Sequence, residues 1–260
     1  MVTFAKNSMI TRYFIFISFK GTYYHGWQIQ PHSVTVQDII DCSLSTITGE
    51  KILTTGAGRT DSGVHAKLFC AHFDSIIPDL AARKEFIGRL NRYLPEDIAV
   101  NEIRKVDGDA NARFSALSRT YRYYIARVKD PFMTDYSWLL QGNIDMNAMN
   151  GACGLLMKHN DFTSFSRLHS NAKTNLCRIL DARWEAEGNM LVFTIKADRF
   201  LRNMVRAVVG TMIMTGTGKI DLDDFEEIIM AKDRCKAGKS APARGLFLAG
   251  IEYPDGIFIQ

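Results

Sequence analysis

Residues 56–66 read Gly-Ala-Gly-Arg-Thr-Asp-Ser-Gly-Val-His-Ala, a polar, glycine-rich stretch between two apolar runs. The run at 68–73 predicts a buried strand, and with residues 52 and 53 it gives this loop an ordered element on each side. The glycines permit tight turns and close approach of a ligand. Asp61 follows Arg59 by two residues, and a nearby cation favours the ionised carboxylate that a nucleophile needs. The loop is therefore the predicted site of chemistry.

Two other interpretations of this loop need no catalysis. Glycine-rich loops can bind phosphates, but the P-loop form ends in a Lys-Ser/Thr pair that this sequence does not contain at that point. Neighbouring Arg and Asp residues also form exposed ion pairs in structural turns, where they add little to stability. The loop by itself leaves these interpretations open, so the rest of the chain has to separate them.

Hydrophobic periodicity on both sides of the loop predicts strands and helices in mixed order. The apolar residues at 13–19 predict a strand that is buried on both faces. Thr35 and Gly49 bound a predicted helix, and a second helix is expected from about Leu80 to Leu94, before Pro95. The polar segment at 107–111 is the predicted boundary between residues 9–108, which carry the catalytic loop, and residues 109–260.

The second half shows the same mixture of elements. Alternation with period two predicts strands at 119–128 and 247–253 and a hairpin that turns at 188–189, and helices are expected near residues 145, 200 and 221. Three arginines spaced by three and four residues would share one face of the middle helix: Arg199, Arg202 and Arg206. A solvated basic face explains that spacing as well as a binding face does. Together the elements predict an α+β fold of two similar-sized halves, with antiparallel sheets flanked by helices.

Composition bounds the class of protein. The chain has 260 residues, 47% hydrophobic and 23% charged, which is ordinary for a globular protein with a large core. Lys and Arg total 32 against 28 Asp and Glu, so the net charge of +4 suits a polyanionic partner. The five cysteines show no metal-binding spacing and are interpreted as reduced packing residues. No apolar run is long enough for a membrane span, and we expect a cytoplasmic protein.

Six motifs occur in order between about Phe19 and Tyr253. The first three are GWQIQ at 26–30 with TVQ at 35–37, GRTDSGVH at 58–65, and RFSA at 113–116 with RTYRY at 119–123. The last three are DFTSF at 161–165, FLRNMVR at 200–206 and APARGL at 241–246. As a set they resemble the motifs of the tRNA pseudouridine synthase A family, in that family's order.

This resemblance implies an isomerase, an intramolecular transferase of the EC 5.4.99.12 type, that converts uridines 38–40 of the tRNA anticodon stem-loop to pseudouridine. It implies the pseudouridine synthase fold with a central basic cleft, a homodimer, no cofactor and no metal. The implied catalytic residues are the nucleophile Asp61, its partner Arg206, and Tyr121, which stacks on the uracil. The implied substrate-binding residues are Arg59, Tyr121, Leu246, Arg202 and Arg119.

One departure from the family lies outside the loop, because Lys20 stands before Gly21 where the family usually has an Asp. His65 is interpreted as a hydrogen-bonding residue of the loop, since no Ser or Cys nucleophile accompanies it. Two other functions stay open: a noncatalytic RNA-binding protein, and an aspartate-dependent nucleosidase that releases the base. Asp61 and Tyr121 disfavour the first, and the lack of an evident second carboxylate for water activation near Asp61 disfavours the second.

Overall fold

The computed structural model describes residues 10–167 and 174–259, so the predicted outer limits of the two halves, residues 9 and 260, lie outside the described residues. Its strands are Thr11–Phe19 (β1), Thr55–Gly56 (β2), His65–Ser75 (β3), Ile98–Lys105 (β4), Ser118–Ala126 (β5), Trp138–Leu139 (β6), Ile179–Glu187 (β7), Met190–Ala197 (β8) and Leu246–Glu252 (β9). Its α-helices are Val36–Thr48 (α1), Lys84–Tyr93 (α2), Met146–Leu156 (α3), Met204–Gly216 (α4) and Leu222–Met230 (α5). These elements confirm the predicted α+β class.

A single mixed sheet runs through the described residues in the order β4-β1-β3-β9-β5-β8-β7, with β2 paired to β3 and β6 to β5. Neighbours are antiparallel within β4-β1-β3 and within β9-β5-β8-β7. The two groups meet where β9 runs parallel to β3, through the pairs His65 with Phe247 and Ala66 with Leu248. The predicted antiparallel sheets are thus parts of one mixed sheet, a pairing between distant segments that periodicity does not reveal.

Two hydrophobic cores lie along this sheet. The first contains Phe14 and Phe69 together with side chains of α1 and α2. The second contains Phe193 and Phe225 together with side chains of α3, α4 and α5. Strand β9 contributes Leu248 to the first core although it belongs to the second half of the sequence. The division into residues 9–108 and 109–260 stays a prediction.

The predicted helix ends are set by side-chain and backbone caps. Thr35 accepts a hydrogen bond from the amide of Asp38, and Gly49 ends α1 with a φ of 75°. Asp145 caps α3, and a reciprocal capping box starts α5. The helix expected at 80–94 is a 3-10 turn at Leu80–Ala82 followed by α2, because the residue between them leaves the helical region. No helix within the described residues is long and apolar enough to cross a membrane.

Helix α4 begins later than predicted. Asn203 has a φ of 65°, in the left-handed region, so the chain before it does not continue the helix. Arg199 and Arg202 therefore lie in the preceding loop, and Arg206 lies in the first turns of α4. The prediction that these three arginines share one helix face is wrong, because spacing alone did not show where the helix starts.

Candidate active site

The loop that carries Asp61 links β2 to β3 and is held as a tight turn. The amide of Val64 donates to the carbonyl oxygen of Asp61 at 3.1 Å, and Gly63 takes a φ of 77°. The segment before α1 packs directly behind this turn, since a Cβ on Gly26 would lie 2.2 Å from the Thr60 carbonyl oxygen. The glycines of this region therefore allow two backbone segments to touch, and this contact fixes the loop.

His65 anchors the far end of the loop. Its side chain is 1% exposed and stacks on Phe247. The amide of Gly21 donates to Nδ1 at 3.1 Å, and Nε2 lies 2.9 Å from the carbonyl oxygen of Asp135. Nδ1 must accept and Nε2 must donate, which requires the neutral ring, and burial lowers the pKa of His65 below 6.5. The predicted hydrogen-bonding role of His65 is confirmed.

Asp61 pairs with Arg206 across the gap between the loop and α4. Nη1 of Arg206 donates to Oδ2 of Asp61 at 3.1 Å. The side chains are 22% and 21% exposed, so the pair is partly shielded from water and still reachable from solvent. Among the described residues no donor reaches the second carboxylate oxygen of Asp61. The guanidinium therefore orients the carboxylate and leaves Oδ1 available to a ligand.

Two cavities border Asp61. The smaller holds about 320 Å³ and is lined by aromatic, aliphatic and basic side chains. The wider holds about 900 Å³ and is lined largely by polar and basic side chains. Asp61 contributes to both walls, together with Thr60, Arg202 and Asn203. The carboxylate thus lies on a wall that the two cavities share.

The structure brings all seven predicted site residues to these cavities. Six line the smaller cavity, namely Arg59, Asp61, Arg119, Tyr121, Arg202 and Leu246. Arg206 lines the wider cavity. Among the lining residues of the wider cavity that sequence reasoning did not assign are Arg167, Asn203 and Arg234. Asn203 lies inside the motif at 200–206, and Arg234 lies in a stretch at 232–244 that is rich in Lys and Arg, so the sequence contained a signal for both. For Arg167 it contained none.

Tyr121 faces Asp61 from β5. Its ring meets Phe200 edge to face at a centroid distance of 5.1 Å. Burial, followed by the negative charge of Asp61, raises the pKa of Tyr121 to about 12. The phenol is therefore protonated at neutral pH, and its ring lines the smaller cavity in contact with Phe200.

The guanidinium of Arg119 donates hydrogen bonds to backbone carbonyl oxygens. Nη1 donates to the carbonyl oxygens of Asp198 and Ala116 at 2.8 and 3.2 Å, and Nη2 donates to those of Ala57 and Arg113. Burial lowers its pKa. The Ala57 contact lies at the start of the Asp61 loop, so Arg119 ties that loop to the strand that carries Tyr121.

Lys20, the departure from the family, pairs with Asp135 at 2.8 Å. The carbonyl oxygen of Asp135 is also the acceptor opposite Nε2 of His65. Lys20 thus adds an ion pair to the segment that holds His65, and it lines neither cavity. In the described part of the chain, no cluster of three or more His, Cys, Asp or Glu side chains could hold a metal ion.

The sequence is similar to those of known proteins over most of its length. A model of tRNA pseudouridine synthases matches residues 152–254. The chain is 49% identical over 250 residues to the tRNA pseudouridine synthase A of Bacteroides fragilis, covering 96% of this chain and 99% of the relative. It is 51% identical over 249 residues to that of Parabacteroides distasonis, covering 95% of this chain and 98% of that relative. For that of Acetivibrio thermocellus the identity is 39% over 243 residues, covering 92% and 98%. The chain belongs to the tRNA pseudouridine synthase A family.

Proposed function

We propose that this protein isomerises uridine to pseudouridine in tRNA and that Asp61 is the nucleophile. The observation that carries the proposal is the position of Asp61 at the border of the two cavities, oriented by Arg206. Membership of the tRNA pseudouridine synthase A family supports tRNA as the substrate and an isomerase of the EC 5.4.99.12 type as the activity.

The reaction needs a nucleophile and proton transfer, and it proceeds without net oxidation. The bond between N1 of uracil and C1′ of ribose breaks, the base rotates, and a bond forms between C5 and C1′. C5 loses its proton and N1 gains one, so the atoms balance with no group released. Asp61 attacks either C1′ or C6, and a covalent adduct of this kind divides one difficult step into two easier ones. A cofactor is not needed for any of these steps.

The smaller cavity is the proposed uracil pocket. A base inside a stem is inaccessible, so the nucleotide must leave the stack at a cost of a few kcal/mol. A volume of about 320 Å³ is enough for one nucleoside. Tyr121 would stack on the uracil, and Leu246 would close the pocket from an apolar side. Because the phenol has a pKa of about 12, stacking is favoured over proton removal as the role of Tyr121.

The wider cavity is the proposed start of the basic cleft. Arg167 and Arg202 line it, and such side chains bind phosphate oxygens. Arg59 is exposed at the rim of the smaller cavity, where it would contact a phosphate or enter the space that the flipped nucleotide leaves. The substrate region proposed from the family is the anticodon stem-loop, at uridines 38–40. A homodimer in the cytoplasm is part of the same proposal, and a mass measurement in solution tests the dimer.

The test of this function compares wild-type protein with Asp61→Asn on tRNA labelled with tritium at uracil C5. Isomerisation releases tritium to water, simple RNA binding releases none, and a nucleosidase releases labelled uracil. We expect release by the wild type and loss of release by Asp61→Asn, whose side chain has the same size without the negative charge. Exposed Asp107→Asn is the matched control and should retain activity.

Mapping the pseudouridines in the treated tRNA then locates the modified positions. Retained turnover in Asp61→Asn would contradict the nucleophile assignment. Modification elsewhere than the anticodon stem-loop would contradict the proposed substrate region without affecting the chemistry.

A further inference from the structure

Arg206 is held at two points by one residue of a distant loop. Its Nε donates to the carbonyl oxygen of Ala241 at 2.7 Å, and its own carbonyl oxygen accepts from the Ala241 amide at 2.9 Å. A guanidinium is planar, so fixing Nε also fixes the direction of Nη1, which reaches Asp61. The position of Ala241 therefore decides where Arg206 points.

Ala241 follows Ser240, whose hydroxyl oxygen accepts two hydrogen bonds. The donors are Nδ2 of Asn203 at 2.6 Å and Nη2 of Arg234 at 3.0 Å. Nη1 of Arg234 also donates to two carbonyl oxygens of its own loop, at 3.2 and 3.1 Å. We call Asn203, Arg234 and Ser240 the Ser240 cluster. It joins the residue before α4 to the loop that follows α5.

Asn203 is in a conformation that local helix formation does not explain. Its φ of 65° lies in the left-handed region, which residues other than glycine adopt uncommonly, although Asn does so more often than most. Asn is also among the best residues for capping a helix start, yet among the described residues its side chain caps nothing in α4 and bonds to Ser240 instead. Disfavoured backbone geometry of this kind persists where the surroundings hold it and is frequent at functional sites. In this conformation the side chain of Asn203 reaches the hydroxyl of Ser240.

The Ser240 cluster also borders the site itself. Its three members line the wider cavity together with Arg206 and Asp61. Helix α4 and the loop are in close backbone contact nearby, since a Cβ on Gly210 would lie 1.8 Å from the carbonyl oxygen of Lys239. We propose that the Ser240 cluster is a positioning device that aims Arg206, and through it Asp61, for catalysis. This rests on the proposed function, and it assigns roles to residues that contact Arg206 indirectly.

The decisive variant is Asn203→Gly, because glycine accepts the left-handed conformation while losing the bond to Ser240. We expect an unchanged or higher Tm, a kcat for tRNA lower by about tenfold or more, and a KM within about twofold of wild type. Asp79→Gly is the matched control, since Asp79 is exposed, has a φ of 58° and lines neither cavity. It should gain the same backbone relief and keep its kcat.

A second pair of variants changes the acceptor. Ser240→Ala should lower kcat like Asn203→Gly, and Ser240→Thr, which keeps the hydroxyl, should restore most of it. A kcat that stays within about twofold of wild type in both Asn203→Gly and Ser240→Ala would overturn the proposal. A raised KM with unchanged kcat would also overturn it, because the cluster would then bind RNA rather than orient Arg206.

A readout without turnover separates this proposal from the proposed function. In protein labelled with nitrogen-15 arginine, the Nε–H signal of Arg206 is identified by its loss in Arg206→Lys. We expect its hydrogen exchange with water to be about tenfold faster in Asn203→Gly, because the bond to Ala241 loosens. An unchanged exchange rate would contradict the proposal. If wild-type protein forms no pseudouridine, the proposed function fails. The exchange measurement still tests whether the Ser240 cluster orients Arg206.

Discussion

Asp41→Asn should remove the contribution of Asp41 to the pH dependence of stability. Asp41 lies on α1 and is 6% exposed, and its Oδ1 accepts from the amide and hydroxyl of Thr54 at 2.9 and 2.6 Å. Within the described residues Oδ2 is buried with no hydrogen-bond partner. Burial raises the pKa of Asp41 from 3.8 to about 6, although the two bonds from Thr54 oppose this. Asp41 thus links α1 to the residue just before β2, and its burial disfavours the charged carboxylate.

The sign of the effect follows from proton linkage. Between pH 3.8 and about 6 the folded protein keeps the proton on Asp41 while the unfolded chain releases it, so stability falls as pH rises through this interval. The interval of about 2 pH units corresponds to about 3 kcal/mol, at 1.36 kcal/mol per unit. That stability is fully present below pH 3.8 and is lost above pH 6.

Asn is neutral at every pH and its Oδ1 can still accept both bonds from Thr54. The free energy of unfolding of Asp41→Asn, minus that of wild type, should therefore rise by up to about 3 kcal/mol between pH 4 and pH 7. Urea unfolding followed by tryptophan fluorescence measures this difference at each pH. Asp107→Asn, at an exposed position, should show a flat difference. A flat difference for Asp41→Asn as well would refute the reasoning.

Two other substitutions test the packing around the site. Gly210→Ala should lower the free energy of unfolding by about 1–3 kcal/mol, because its Cβ would meet the Lys239 carbonyl oxygen. Gly154→Ala in α3 has nothing within 4 Å of the new Cβ and should instead stabilise the protein by about 0.5–1 kcal/mol. Similar Tm shifts in Gly210→Ala and Gly154→Ala would contradict the expectation that the Gly210 contact excludes a Cβ. His65→Gln should lower the free energy of unfolding most near pH 7.5, and the difference in this free energy between variant and wild type should become smaller towards pH 5. The stability that the buried neutral ring contributes is fully present above the unfolded pKa of 6.5 and is lost as the pH falls towards the lowered folded pKa, so a stability difference that widens in acid would contradict this.

Much of the local structure could be predicted from the sequence, because the information is local. Thr35 with Gly49 and Asp221 with Asp224 mark helix ends through bonds that span a few residues. The hairpin of β7 and β8 turns at Gly188 as its sequence predicts. The glycine-flanked Asp61 loop could be found in the same way, since its composition is unusual for a strand connection.

Long-range relations could not be predicted from the sequence, since they depend on contacts between distant segments. The parallel pairing of β3 with β9 turned two antiparallel groups into one sheet. Spacing predicted that Arg199 lies on a helix. In the structure Arg199 lies in a loop, because Asn203, which bonds to Ser240, has a left-handed conformation and α4 begins after it. The sequence by itself determined the elements and the Asp61 loop. The resemblance implied Arg206 as the partner of Asp61, and the structure shows the hydrogen bond between them. The tertiary structure alone decided that Ala241 orients Arg206, because a hydrogen bond across folded segments has no local pattern.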